Sequence, residues 1–227
     1  TLSGKVALVT GGSRGLGAVA AAALAEAGAD VAISYVASEG KAAAVVETLK
    51  AKGVRALAIH ADQGDPTTAE HVIRDLLEHF GKLDILVNNA AVAWQGKSID
   101  DPEIDNAAMD RQWSINTLGV IANIRSACKV MTDGGRIIST GSGLGTRIAF
   151  PGTTDYAATK AAVVAYSKGA ARDLGPRNIT VNVVQAGIMD TEMAAGSKDN
   201  LPPIIMESHA IQRFATLDEV ASAILYL

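Results

Sequence analysis

The chain has 227 residues, of which 48% are hydrophobic and 19% are charged, and its formal net charge is −4. This composition is typical of a globular protein that buries a core without disulfides, and the single cysteine excludes a disulfide within the chain. The lack of a basic run argues against nucleic acid as the main partner, and no apolar run reaches membrane-spanning length. The four histidines form no ligand-spaced cluster with Cys128, so we expect no metal site; we also find no signal segment and therefore expect a cytoplasmic location.

Apolar runs of strand length alternate with helical patterns along the chain. The predicted strands are mostly apolar and β-branched, without clean alternation, at 5–10, 30–36, 54–60, 83–89, 135–140 and 178–184. Helices are predicted at 17–28, 38–53, 66–81 and 155–175, and between 103 and 131, where the boundary between helices stays open. Strands of this kind are typical of a parallel sheet covered on both faces. We therefore predict an α/β fold, a single doubly wound Rossmann domain spanning residues 1–227.

The final part of the chain carries two further expectations. Residues 190–210 form the most polar and irregular stretch and follow the carboxyl end of the sixth strand, where ligands bind in such sheets, so we predict a substrate lid there. The closing stretch "LDEVASAILYL" indicates a helix. A seventh strand is expected to be missing from this chain because no residues follow that helix.

A glycine-rich turn, "TGGSRGLG", joins the first strand to the first helix. Gly11, Gly15 and Gly17 allow a tight turn and let backbone N–H groups approach a pyrophosphate at a helix N-terminus. The place of the pattern, between the first strand and the first helix, is the context that a dinucleotide site requires. We expect Ser13 and Leu16, within the same turn, to contact the cofactor as well.

The end of the second strand bears on which dinucleotide binds. An acidic residue there would hold a free ribose 2′-OH, but this strand ends at Tyr35 and the first acid is Glu39. Arg14, Tyr35 and Ser38 together can accept a 2′-phosphate, because a guanidinium matches phosphate geometry. The sequence therefore favours NADP(H) over NAD(H). The alternative for Arg14 is a solvated surface arginine.

The stretch "TDYAATK" places Tyr156 four residues before Lys160, on one face of a predicted helix. A free phenol has a pKa of about 10, too high for a good base near neutral pH. A neighbouring ammonium group stabilises the phenolate and lowers that pKa, so we expect the pair to exchange a proton with a ketone or an alcohol.

These motifs, with "NNAA", "SIN", "GSGLG" and "VNVVQAG" in that order, resemble the short-chain dehydrogenase/reductase family over essentially the whole chain. The resemblance, closest in style to 3-oxoacyl-carrier-protein reductases and polyketide naphthol reductases, implies the chemistry. Tyr156 would be the general acid/base, Lys160 would hold the nicotinamide ribose, and Ser142 would hold the substrate oxygen, with Ser139 as its fallback. Asn116 would help to relay protons to the lysine, or would instead be a polar helix residue that bonds the backbone.

The same resemblance implies the remaining cofactor contacts. Asp62 would bind the adenine amino group. Ile188 and Thr191 would hold the nicotinamide carboxamide. The other residues that the resemblance includes in the cofactor site are Gln63, Asn89, Ala90, Ala91 and Gly187. It also implies a homo-oligomer, either a dimer or a tetramer.

The leading functional interpretation is NADPH-dependent reduction of a ketone to a secondary alcohol, or the reverse oxidation. The small-molecule substrate would enter an apolar pocket. The candidates for its lining are Trp94, Ile148, Phe150, Met189 and Met193. A non-catalytic nucleotide-binding or regulatory protein on the same fold is the alternative, although such a module does not need all four catalytic residues. A sugar epimerase or dehydratase is disfavoured by the glycine spacing and the short chain after residue 190.

Overall fold

A computed structural model describes residues 1–191 and 203–227 of the chain. The described part contains one sheet of six strands in the order β3-β2-β1-β4-β5-β6, and every neighbouring pair is parallel. The strands are β1 (Val6–Val9), β2 (Asp30–Tyr35), β3 (Ala56–His60), β4 (Ile85–Asn88), β5 (Arg136–Ser142) and β6 (Thr180–Ala186). The order reverses between β1 and β4, which places a switch point at the carboxyl ends of those strands.

Eight α-helices lie between and after the strands in the described ranges. They are α1 (Gly15–Glu26), α2 (Glu39–Lys50), α3 (Thr68–Phe80), α4 (Asn106–Trp113), α5 (Gly119–Val130), α6 (Thr154–Leu174), α7 (Pro203–Glu207) and α8 (Leu217–Tyr226). Helices α1, α2 and α8 contribute to one buried cluster on the sheet, and α3, α5 and α6 contribute to a second. The predicted doubly wound Rossmann fold is confirmed, because the two clusters cover opposite faces of the sheet.

Local chain chemistry explains where the elements end. Gly28, Gly53 and Gly81 follow α1, α2 and α3 with φ of +101°, +88° and +82°, a backbone conformation that glycine adopts without strain. The helix predicted over 66–81 begins two residues later than expected, at Thr68, so Pro66 precedes it. Strands β5 and β6 extend two residues beyond their predicted ends, which carries Ser142 into the sheet.

The open boundary between 103 and 131 is a change of helical type. Helix α4 runs without a break into a π-helical turn, Ser114–Leu118, and then into α5. In that turn the N–H of Gly119 bonds the carbonyl of Ser114, five residues back. Such π-turns occur often at functional sites because they shift the side chains that follow.

The predicted lid, 190–210, lies partly outside the described residues, because 192–202 are not among them. The closing helix is α8, which begins at a capping box formed by Thr216 and Glu219. Within 1–191 and 203–227, every helix is too short or too polar to cross a lipid bilayer. The same ranges contain no group of three or more His, Cys, Asp or Glu side chains placed to hold a metal ion.

Candidate active site

The glycine turn forms a cradle at the carboxyl end of β1. A Cβ atom at Gly17 would lie 2.4 Å from the Gly11 carbonyl oxygen, and one at Gly11 would lie 2.9 Å from Cα of Ala90. Gly11 and Gly15 also have positive φ, of +64° and +53°. Because α1 starts at Gly15 without a side-chain cap, its first N–H groups remain open to an anion. This concave main chain fits a pyrophosphate.

A buried threonine braces the glycine turn, and sequence reasoning missed it. Thr10 Oγ1 accepts the N–H groups of Asn89 (3.0 Å) and Ala90 (3.1 Å). Asn89 in turn donates from Nδ2 to the carbonyls of Thr10 (3.0 Å) and Gly11 (3.3 Å). The side chain of Asn89 therefore joins the ends of β1 and β4. The signal for Thr10 was its position directly before two glycines at a strand end.

Two expected cofactor residues can use only their main chains. The Leu16 side chain is packed into the core beneath α1. The Gln63 side chain is buried and donates from Nε2 to the carbonyls of Ala90 (2.9 Å) and Ile115 (3.0 Å). Any contact from either residue to a cofactor must therefore come from backbone atoms.

The residues expected at the adenosine end follow neighbouring strands. Arg14 directly precedes α1, Tyr35 ends β2, and Ser38 is the residue before α2. The Tyr35 ring meets the ring of His60, which ends β3, edge-on with 5.5 Å between centroids. These side chains share the edge of the sheet at which the adenosine ribose of a dinucleotide lies in Rossmann domains.

Asp62 follows β3 and is held by two groups. Its Oδ1 accepts the N–H of Gly64 (2.9 Å), and Arg111 Nη2 donates to Oδ1 (2.5 Å) and Oδ2 (2.6 Å). Burial raises the pKa of the Asp62 carboxyl, but the hydrogen bonds from Arg111 and Gly64 outweigh it and leave the pKa below its usual value. The carboxylate is therefore ionised at neutral pH. Sequence reasoning missed Arg111, which lies 49 residues away along the chain.

Ser142 and Tyr156 meet where β5 ends and α6 begins. Their hydroxyl groups are near enough for Ser142 to lower the pKa of the Tyr156 phenol. The fallback, Ser139, is only 1% exposed and lies against Asn88 Nδ2 (3.4 Å) within the sheet. Of the two serines, Ser142 is the one beside the tyrosine.

Burial has the largest effect on the pKa of the Tyr156 phenol. It raises the pKa of Tyr156 above its ordinary value, and the hydrogen bond with Ser142 offsets only part of that rise. The expectation that Lys160 lowers this pKa does not hold in the protein alone. The Lys160 Nζ lies 5.8 Å from the centroid of the Tyr156 ring, and it donates to the carbonyl of Thr140 (3.0 Å).

Lys160 is a buried ammonium group. The residue is 4% exposed, and burial lowers the pKa of its side chain from 10.5 to about 8. A short 3-10 turn, Gly143–Gly145, lies against α6 at this point. A Cβ atom at Gly145 would lie 3.1 Å from the Lys160 carbonyl carbon, so the turn can approach only because this residue is glycine.

Asn116 lies in the π-turn and is 1% exposed. Its Oδ1 accepts the N–H of Val92 (2.9 Å), and its Nδ2 donates to the Val92 carbonyl (2.8 Å) and to Thr159 Oγ1 (3.3 Å). The side chain therefore bonds the backbone, as the alternative interpretation of this residue supposed. A part in proton relay is left to the main-chain carbonyl of Asn116.

A hydrogen bond also joins the end of α4 to α6, the helix that carries Tyr156. The indole Nε1–H of Trp113 donates to Asp155 Oδ1 over 2.9 Å. Asp155 lies in the first turn of α6, directly before Tyr156. A carboxylate is also favourable at a helix N-terminus because it faces the positive end of the helix dipole. The bond therefore fixes the start of α6 against the end of α4.

Gly187 and Ile188 follow β6 on the opposite side of the site and contact His209. The His209 Nδ1 lies 2.7 Å from the Ile205 carbonyl and must carry its proton, so Nε2 accepts the N–H of Ile188 (3.5 Å). A Cβ atom at Gly187 would lie 3.2 Å from that Nε2. Thr191 is the last residue before the undescribed stretch. Met193, a candidate pocket residue, falls within that stretch.

Comparisons with known proteins find relatives of this chain. A family model described as enoyl-(acyl carrier protein) reductase matches residues 11–227. The 3-oxoacyl-[acyl-carrier-protein] reductase FabG of Staphylococcus aureus is 37% identical over 232 aligned residues, which cover 98% of this chain and 90% of that protein. Versicolorin reductase 1 of Aspergillus parasiticus is 40% identical over 202 residues, or 88% of this chain and 76% of that protein.

Solved structures also include close structural relatives of this chain. A short-chain dehydrogenase from Burkholderia cenocepacia in complex with NADP superimposes with a TM-score of 0.92 at 45% identity, over 99% of this chain and 90% of that one. The chain therefore belongs to the short-chain dehydrogenase/reductase family. It is an NAD(P)-dependent oxidoreductase that acts on CH–OH or ketone groups.

The buried ammonium predicts a pH dependence of stability. Folded Lys160 loses its proton near pH 8, whereas the unfolded chain keeps it to about 10.4, so the unfolded state binds more protons between these values. The free energy of unfolding should therefore rise by about 2 kcal/mol from about pH 7 to about pH 9.5. Urea titrations should show this rise in the wild type and in Lys168→Met, an exposed position on the same helix, but not in Lys160→Met. If the free energy of unfolding had the same pH dependence in the wild type and in Lys160→Met, the burial of the Lys160 ammonium would be contradicted.

The indole bond predicts a catalytic effect without a change in cofactor affinity. Trp113→Phe keeps an aromatic ring at this position but removes the N–H that holds Asp155, so the start of α6, which carries Tyr156, is held less firmly. We expect kcat to fall about five- to tenfold with an unchanged KM for NADPH. Asp155→Asn retains an acceptor oxygen and should keep most of the activity in the same steady-state assay. Wild-type kcat in Trp113→Phe would show that the bond has no catalytic consequence.

Proposed function

We propose that the protein reduces a ketone to a secondary alcohol with NADPH, or catalyses the reverse oxidation, with Tyr156 as the general acid/base. The observation that carries this proposal is the half-buried phenol of Tyr156, which lies beside Ser142 at the carboxyl end of β5. A phenol whose pKa is not lowered is protonated at neutral pH, and this is the form that donates a proton to a carbonyl oxygen.

The cofactor would lie across the carboxyl ends of the strands. The main chain of the glycine turn and the open end of α1 would hold the pyrophosphate, and Asp62 would accept from the adenine amino group. Arg14, Tyr35 and Ser38 would hold the 2′-phosphate, and Ile188 with Thr191 would hold the carboxamide. The NADP-bound relative from Burkholderia cenocepacia supports NADP(H) over NAD(H). When bound, NADPH supplies the hydride for the carbonyl carbon.

The protein's own groups would handle the proton. Ser142 would bind the substrate oxygen and orient it toward the Tyr156 hydroxyl, which gives up its proton as negative charge develops on that oxygen. Lys160 would stabilise the phenolate that remains and would bind the nicotinamide ribose. In the structure, the ammonium group of Lys160 lies near the Tyr156 ring and donates to the Thr140 carbonyl. The main-chain carbonyl of Asn116 would accept a hydrogen bond from a water molecule, and that water would return a proton to the site.

The side chains near the site favour an apolar ketone. Trp94 is 38% exposed and follows β4, and Ile148 is 65% exposed in the connection from β5 to α6. Exposed large apolar side chains beside a cleft are typical of a surface that receives an apolar ligand. The assembly into a homo-oligomer and the cytoplasmic location remain predictions.

Removal of one hydroxyl tests the proton donor. Tyr156→Phe should lower kcat by about a thousandfold or more, since general acid catalysis typically contributes on the order of 10² to 10⁴. NADPH affinity, measured by fluorescence titration, should stay within about threefold of the wild type. Tyr226→Phe, at an exposed position on α8, is the matched control and should be fully active with a ketone panel. Substantial activity in Tyr156→Phe would remove the tyrosine from its proposed role.

A second variant tests the cofactor preference. Arg14→Ala removes the guanidinium expected at the 2′-phosphate, and charge-assisted hydrogen bonds are the strong ones. The Kd for NADPH should rise about tenfold or more, whereas the Kd for NADH should change by less than about threefold. Arg74→Ala, on the exposed side of α3, controls for net charge. Equal losses for the two cofactors would contradict the assignment of Arg14.

A further inference from the structure

Arg111 forms an ion pair with Asp62, and the position of this pair suggests a function. It lies in the last turn of α4, and its Nη2 contacts both oxygens of Asp62, at 2.5 and 2.6 Å. Both side chains are a little more than one-third exposed, so a ligand can reach the pair. Exposed ion pairs contribute little to stability. Stability alone is therefore a weak reason for this geometry.

Gly64 shows that space is kept free for the guanidinium. A Cβ atom at Gly64 would lie 1.8 Å from Arg111 Nη1 and 2.4 Å from Cζ. The φ of Gly64 is not positive, so the backbone conformation itself does not require glycine. The guanidinium lies directly over the Gly64 main chain, and the Gly64 N–H bonds the same Asp62 carboxylate.

These contacts fix both the direction and the charge of the Asp62 carboxylate. An ionised carboxylate has about four acceptor positions and no donor. Gly64 and Arg111 occupy positions on Oδ1, and Arg111 also contacts Oδ2, which leaves acceptor capacity on Oδ2 for a ligand. A fixed acceptor attracts an amino group and repels a carbonyl oxygen at the same place.

We propose that Arg111 is the positioning residue that makes Asp62 select adenine over a 6-oxo purine in the cofactor. The inference rests on the proposed function, since it takes Asp62 as the residue that meets the purine. Arg111 does not touch the cofactor; it holds the carboxylate with its acceptor oxygen toward the 6-position.

The test compares NADPH with reduced nicotinamide hypoxanthine dinucleotide phosphate, in which a carbonyl replaces the 6-amino group. Dissociation constants are measured by nicotinamide fluorescence or calorimetry on the purified full chain, so the readout does not depend on turnover. The wild type should bind NADPH about tenfold or more tightly than the analogue. Arg111→Met should weaken NADPH binding and bring the two constants within about threefold, while Arg111→Lys should restore part of the ratio, because a lysine keeps the charge but not the planar geometry.

Gly64→Ala perturbs the same contact without removing a charge. Its Cβ must displace the flexible end of Arg111, so the preference for NADPH should fall as it does in Arg111→Met. Two matched controls should keep the wild-type ratio: Arg74→Met, which removes an exposed arginine of α3, and Gly169→Ala, where a Cβ atom meets nothing within 4 Å. Circular dichroism melts identify any variant that fails to fold, and Arg111→Lys and Gly64→Ala then carry the comparison.

The outcomes separate this proposal from the proposed function. A wild-type preference for NADPH that survives in Arg111→Met, Arg111→Lys and Gly64→Ala would overturn the role of Arg111 and leave Asp62 in place. A wild type that binds both cofactors equally would overturn the role of Arg111 together with the adenine contact of Asp62. Ketone reduction is measured separately, so a failure there would contradict the proposed function and not the purine preference.

Discussion

The buried ammonium of Lys160 is the constraint on which the site depends. Burial of a cation is costly, and its pKa of about 8 records that cost. The fold meets it with the Thr140 carbonyl at the end of β5, and it brings a glycine turn against α6 to close the space. Burial also raises the pKa of Tyr156. In the proposed reaction the phenol would give up its proton, and the ammonium group of Lys160 would stabilise the negative charge that forms.

The end of α4 connects the parts of the cleft. Three successive residues contact three separate segments: Arg111 holds the loop after β3, Gln112 accepts the N–H of Trp94 (2.7 Å) in the loop after β4, and Trp113 holds the start of α6. Side chains at successive helical positions point about 100° apart, so a single helix end can reach all three. The π-turn directly after them then directs Asn116 to the same loop after β4. The loops after β3 and β4 and the start of α6 are therefore all held by the end of α4 and the π-turn that follows it.

Much of this arrangement could be predicted from local sequence, because local rules decide it. Glycine spacing, apolar strands and a tyrosine four residues before a lysine gave the fold class and the main candidates. The direction of the Tyr156 pKa could not be predicted, since the extent of burial depends on the whole fold, and the sequence suggested only the nearby ammonium. The contact between Arg111 and Asp62 spans 49 residues, and no local pattern announces it. The side chains of Asn116 and Gln63 proved to bond the protein itself for the same reason: their partners come from distant strands and loops.

The protonation of Tyr156 is the central claim, and NMR can measure it directly. In protein labelled with ¹³C at the tyrosine Cζ, the Tyr156 signal is the one lost in Tyr156→Phe. Without cofactor, this signal should remain mostly that of a neutral phenol at about pH 10, where a free tyrosine ionises, and it should titrate at lower pH once NADP⁺ adds its positive nicotinamide ring. A Tyr156 signal that titrates below about pH 10 in the protein alone would contradict the account.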